Sequence, residues 1–150
     1  SPPSSSRRLL LPPLAARLPG WRLVERARLV SESGDVDAAA ALCDQALTAS
    51  GGDPSLRRVA GNLMAAWADV LSDPESHLLH DPARAADVAR RATRWSEGSA
   101  GPFVSLARAL VSLGELDLAR RTVQQATLLD PDHSEVNALR RALGLEPGKR

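Results

Sequence analysis

Alanine recurs in this chain at a fixed interval: Ala85 and Ala119 stand 34 positions apart, and so do Ala92 and Ala126. Ala39 and Ala46 precede Ala85 and Ala92 by 46, the same interval lengthened by 12 residues. The extra length falls on positions 55–72 and on the segment 73–80. Two helices cross closely only where a side chain is short enough for their backbones to approach. A small residue returning at a repeat period therefore predicts stacked helix pairs, each unable to bury its apolar face alone.

Residue usage agrees with packed helices. The chain of 150 residues has no Tyr, one Phe and three Trp, so its core must be aliphatic, and Ala, Leu and Arg favour helix over strand. A domain of this length buries about two thirds of the surface of its unfolded chain. Nineteen basic residues oppose 18 acidic ones, so any electrostatic effect must be local, and the arginines at 90, 91, 94, 120, 121, 140 and 141 are interleaved with acids. Nucleic acid is therefore not expected as a partner.

Residues 1–20 form a basic segment rich in Pro and Ser, read as a linker or tail. No stretch reaches the ~18 uninterrupted apolar residues of a membrane helix, and the best candidate, Leu9 to Leu14, is broken by Pro12 and Pro13. Direct membrane insertion is not expected. The start at Ser1 suggests a processed form or a piece of a larger protein. Localisation stays open.

From Trp21 the apolar residues fall at helical spacing. Breaks at Ser33-Gly34-Asp35, Gly51-Gly52-Asp53-Pro54, Asp73-Pro74 to Asp81-Pro82, Gly98 to Pro102, Gly114 and Asp130-Pro131 predict seven helices over 21–33, 36–49, 55–72, 82–96, 102–113, 116–129 and 134–143. Gly34 and Gly114 each fall between the two helices of a pair, where a positive φ lets one helix end and the chain reverse.

Residues 100–133 resemble the tetratricopeptide repeats, through Phe103, Leu106, Ala107, Leu110, Gly114, Leu116, Ala119, Val123, Ala126 and Pro131. Residues 20–53 are similar through Leu23, Ala27, Val30, Gly34, Val36, Ala39, Cys43 and Ala46, with Gly51 where the family has proline. In the middle unit the second helix matches through Ala85, Ala89 and Ala92. Its first helix is overlong and ambiguous in register, and looks like a variant common in bacterial arrays. The resemblance implies an all-α, right-handed α-solenoid of about three helix-turn-helix units at 20–53, 54–98 and 100–133, within a domain over 21–150. Residues 134–143 would be a capping helix, with Val136, Leu139 and Leu143 on its packed face.

No catalytic constellation emerges from the residues, so an enzyme is not expected. Cys43, the single cysteine, occupies a packing position and is expected in the core. His77 and His80, with Asp73, Glu75 and Asp81, lack the spacing of a known metal site, and an exposed loop needs polar residues in any case; no metal or other cofactor is expected. His133, in the turn after Pro131, is expected to be exposed. No Gly-rich phosphate loop is present.

The resemblance implies instead a concave groove lined by the first helix of each pair, where a partner protein or peptide lies. The groove-facing places hold Trp21, Val24, Arg28 and Ser31 in one repeat and Gly101, Val104, Arg108 and Val111 in another. Arg28 and Arg108 occupy equivalent places, and two guanidiniums over an apolar floor would suit an acidic or carboxylate-bearing peptide; ordinary solvated arginines are the competing interpretation. The clamp by which some co-chaperones hold a heat-shock protein's C-terminus is not expected, since Val24 and Arg28 stand where it needs lysine and asparagine. The expected function is protein binding or scaffolding. The alternative is a regulatory or recruiting tail of a larger enzyme or membrane protein, and self-association through exposed helix faces is compatible with both.

Overall fold

A computed structural model of the chain describes residues 19–145, the side chains of Pro19 and His77 excepted. The segment 1–18, with Arg7, Arg8 and Arg17, and the terminal Lys149 and Arg150 lie outside the described residues. Within them the fold is all-α: α1 (Pro19–Glu32), α2 (Val36–Ala49), α3 (Pro54–Ser72), a 3-10 helix (Pro74–Leu79), α4 (Pro82–Trp95), α5 (Ala100–Ser112), α6 (Leu116–Leu129) and α7 (Ser134–Ala142). These helices agree with the seven read from the sequence to within two residues at each end.

Aspartate starts three of them. Asp35 Oδ1 accepts the Ala38 N–H at 3.0 Å, Asp81 Oδ1 the Arg84 N–H at 3.1 Å, and Asp53 Oδ1 the Ser55 N–H at 2.9 Å. Each satisfies a donor that helix geometry leaves unpaired, and Pro54 and Pro82 follow where a missing N–H costs nothing. His133 does the same for α7, its Nδ1 accepting the Glu135 N–H at 3.2 Å. It is half-buried and structural, not simply exposed in a turn as the sequence suggested.

The chain divides into two compact units, Ser1–Val59 and Ala60–Arg150, with the boundary inside α3. In the first unit α1 and α2 pair through the turn at Gly34, whose φ is +94°. The hairpin is tight: a Cβ at Gly20 would lie 2.9 Å from the Ala46 carbonyl oxygen and 2.7 Å from Leu56 Cδ2. In the second unit α4 packs on α5, α5 on α6, and α7 on both α5 and α6. Gly114, φ +80°, turns α5 into α6, while the Glu115 N–H donates to the Leu110 carbonyl at 2.9 Å to close the helix end.

The recurring alanines sit at the packing surfaces. Ala27, Ala39 and Ala46 in the first unit and Ala85, Ala92, Ala107, Ala119 and Ala126 in the second are all 0 % exposed. Around them pack Val36, Cys43, Leu56, Met64, Val104, Leu110, Val123 and Val136, all buried.

The segment 73–81, read from its polar residues as a loop, contains a six-residue 3-10 helix, about two turns. Asp73 Oδ1 accepts the Glu75 N–H at 2.9 Å, and the Ser76 hydroxyl donates back to the Val70 and Asp73 carbonyls at 2.8 and 2.7 Å. Short polar side chains thus meet the backbone's needs locally, which a count of polar residues does not reveal.

Replacing Ala119 with Leu should overpack the α6 surface and cost about 1–3 kcal/mol, whereas Ala41→Leu, on the exposed face of α2, should stay within about 0.5 kcal/mol of the parent. Thermal melts of the two variants test the distinction.

Candidate functional site

Two arginines drew attention in the sequence, and they have different surroundings. Arg28, in the first unit, lies between two acids of its own helix: Nη2 reaches Glu25 at 2.8 Å and Nη1 reaches Glu32 at 3.3 Å. The hydrogen bond and charge of Glu25 hold its pKa above the ordinary value, with Glu32 adding to the effect. All three groups are exposed and belong to one turn-to-turn stack on α1, so the set ties no elements together. Of its neighbours in the expected groove set, Trp21 is half-buried, while Val24 and Ser31 are buried at 5 % and 0 % exposure. Ser31 turns its hydroxyl onto the Arg28 carbonyl at 2.7 Å. Val24 and Ser31 are therefore packing residues and offer little surface to a ligand.

Arg108, in the second unit, is a connector. Nη1 meets Asp69 Oδ1 of α3 at 3.0 Å, and Nη2 meets Glu135 Oε2 of α7 at 2.9 Å. One guanidinium thus joins three helices. Its partial burial disfavours the charge, but the two carboxylates outweigh that and raise the pKa overall. Arg108 stays cationic at any physiological pH.

Beside this clasp an open cleft of about 440 Å³ is lined by Asp69 and Ser72 at the end of α3, Asp73 and Pro74 in the following turn, Arg108, Val111 and Ser112 on α5, and Leu139 on α7. The Ser112 hydroxyl donates to the Ser72 carbonyl at 3.3 Å, which links α5 to the last turn of α3, and the Ser72 hydroxyl satisfies the Ala68 carbonyl at 2.7 Å. The Asp81 N–H donates to the Leu71 carbonyl at 2.8 Å. Polar groups at the end of α3 are thereby paired and the wall is fixed. Val111, 39 % exposed, is the open apolar surface of the groove set. Val104 is 1 % exposed and belongs to the core.

Sequence reasoning found Arg108 and Val111 but missed Asp69, Asp73, Glu135 and Leu139 as their surroundings. The uncertain register of 55–72 hid Asp69, and Glu135, a first-turn acid of α7, was not singled out. No sequence spacing signals a contact between positions 69, 108 and 135; it arises from packing.

Cys43 is 0 % exposed, as its packing position predicts. Burial, with a smaller contribution from the nearby Asp44 carboxylate, pushes its thiol up to about 12 from 9.0. His80 is exposed, and His77 has no described side chain. Among the described residues no group of three or more His, Cys, Asp or Glu is placed to hold a metal ion. Among them, too, no helix is long and apolar enough to cross a membrane.

The helix pair α5–α6 with its flanking helices falls within residues 78–143, which match the family model for the tetratricopeptide repeat. That stretch carries the tetratricopeptide repeat. Such repeats generally mediate protein–protein interaction and are typically non-catalytic. Neither the curated proteins nor the solved structures yield a match.

The thiol offers a direct check of these packing assignments. Cys43 should resist a thiol-specific reagent in the native protein at about pH 8 and react stoichiometrically in denaturant. Because its pKa is raised on folding, its contribution to stability is complete below pH 9.0 and is lost as pH climbs towards about 12; a Cys43→Ser variant should lose that component of the alkaline fall in stability.

Proposed function

We propose that the second unit binds a segment of a partner polypeptide in the cleft beside Arg108. The observation that carries this reading is a preformed cleft of about 440 Å³ lined from α3, α5 and α7. Under the repeat division read from the sequence, 20–53, 54–98 and 100–133 followed by the cap at 134–143, those are successive first helices, the elements that line the family's ligand groove. The volume lies towards the lower end of the usual range for ligand pockets, about 300–1,000 Å³, and suits a few side chains of a peptide rather than a globular surface. Its mixed lining offers what peptide recognition needs: Val111, Pro74 and Leu139 for apolar contact, and serine and charged groups for orientation.

In the first unit, Trp21 and Arg28 are the residues of the expected set with surface to contribute, while Val24 is buried. The basis for an acidic ligand is weakened, however. That expectation rested on two available guanidiniums, and each is held by two carboxylates.

The reading is tested by affinity capture from the source lysate, with bound proteins identified by mass spectrometry. Three immobilised proteins are compared: the parent, Val111→Glu in the cleft, and Arg90→Ala on α4. A partner recovered by the parent and by Arg90→Ala but lost with Val111→Glu is the expected result. Equal recovery on all three would remove the cleft from consideration.

A further inference from the structure

Building on the cleft as the binding surface, we propose that it selects a segment in which an arginine or lysine stands next to an aliphatic residue. The reason is charge. Arg108 is shared between Asp69 and Glu135, at 3.0 and 2.9 Å, so the clasp as a whole is negative. Asp73 adds a third carboxylate on the cleft wall, and its Oδ1 accepts the Glu75 N–H at 2.9 Å. Among the described residues, Asp69 and Asp73 of the lining together with Glu135 set three carboxylates against the Arg108 guanidinium, a balance of two negative charges (three minus one).

An incoming carboxylate would have to displace Asp69 or Glu135 from Arg108 and would face the carboxylate left behind. An incoming guanidinium or ammonium displaces nothing. An ionised carboxylate has about four lone-pair sites, and Arg108 contacts Asp69 through Oδ1 and Glu135 through Oε2, so capacity remains for a second cation. Arg108 is thereby a spacer that holds the acids in place across three helices. Beside them Pro74, Val111 and Leu139 form the apolar part of the wall, which calls for an aliphatic neighbour to the cation, and a volume of about 440 Å³ accommodates such a pair.

The test is selection of a phage-displayed random peptide library on the immobilised 150-residue chain, followed by titration of the enriched peptides in solution and mapping of amide chemical shifts. Enriched peptides should carry Arg or Lys adjacent to Leu, Ile or Val, and should shift the amides of Val111, Ser112 and Leu139. Asp73→Asn keeps an Oδ1 acceptor for the Glu75 N–H while removing the charge. It should weaken binding about two- to five-fold, the range for one exposed ion pair, and Glu135→Gln should do likewise as a second variant. Raising salt from about 0.05 M to about 0.5 M should weaken binding further. Acidic or uncharged peptides that shift the same amides would overturn the charge inference and leave the cleft reading standing, as would basic peptides indifferent to both substitutions. Failure to enrich any peptide, or shifts confined to other residues, would overturn both.

Discussion

Close approach of helix backbones at fully buried alanines is the constraint on which the rest of this structure depends. Eight alanines at the predicted positions are completely inaccessible, three in the first unit and five in the second. At such a position a larger side chain has no room, and the helices would have to separate or shift. Short polar residues and glycine complete the arrangement. A Cβ at Gly61 would lie 3.3 Å from the Ala92 carbonyl oxygen and against the Ser96 hydroxyl, so α3 meets the end of α4 almost backbone to backbone. Packing of this kind fixes where neighbouring helices sit and so decides which surface residues meet.

The Arg108 clasp is one consequence. The repeat pattern read from the sequence gives Arg28 and Arg108 equivalent places, yet one pairs with acids on its own helix and the other with acids on two different helices. Exposed pairs like those of Arg28 contribute little to stability. Those of Arg108 are less exposed, at 33 % for its side chain, and they define the geometry and the sign of the adjacent cleft. A residue that the repeat pattern marks as a cationic contact for a ligand thus serves, in this packing, to hold carboxylates.

Much of the fold was legible because its signals are local or periodic. Asp35, Asp53 and Asp81 announce helix starts, Gly34 and Gly114 announce reversals, and alanines at the repeat interval mark the packed faces. The 3-10 helix at 74–79 was not legible, since Asp73 and Ser76 look alike whether they solvate a loop or cap a turn. The cleft was legible only in part. Val111 followed from the repeat pattern, but Val24 and Val104, assigned by the same pattern to the groove, lie in the core. The acids around Arg108 come from positions 69, 73 and 135, whose proximity depends on how α3 and α7 pack beside α5 rather than on any spacing in the chain.

The most direct measurement is a pair of double-mutant cycles in the 150-residue chain, Arg108→Ala combined with Asp69→Ala and with Glu135→Ala, read by denaturant unfolding. If Arg108 links α3, α5 and α7 as described, each cycle should give a favourable coupling of about 0.5–1 kcal/mol. Additivity within about 0.3 kcal/mol in both cycles would contradict the clasp, and with it the account of how the cleft is held and charged.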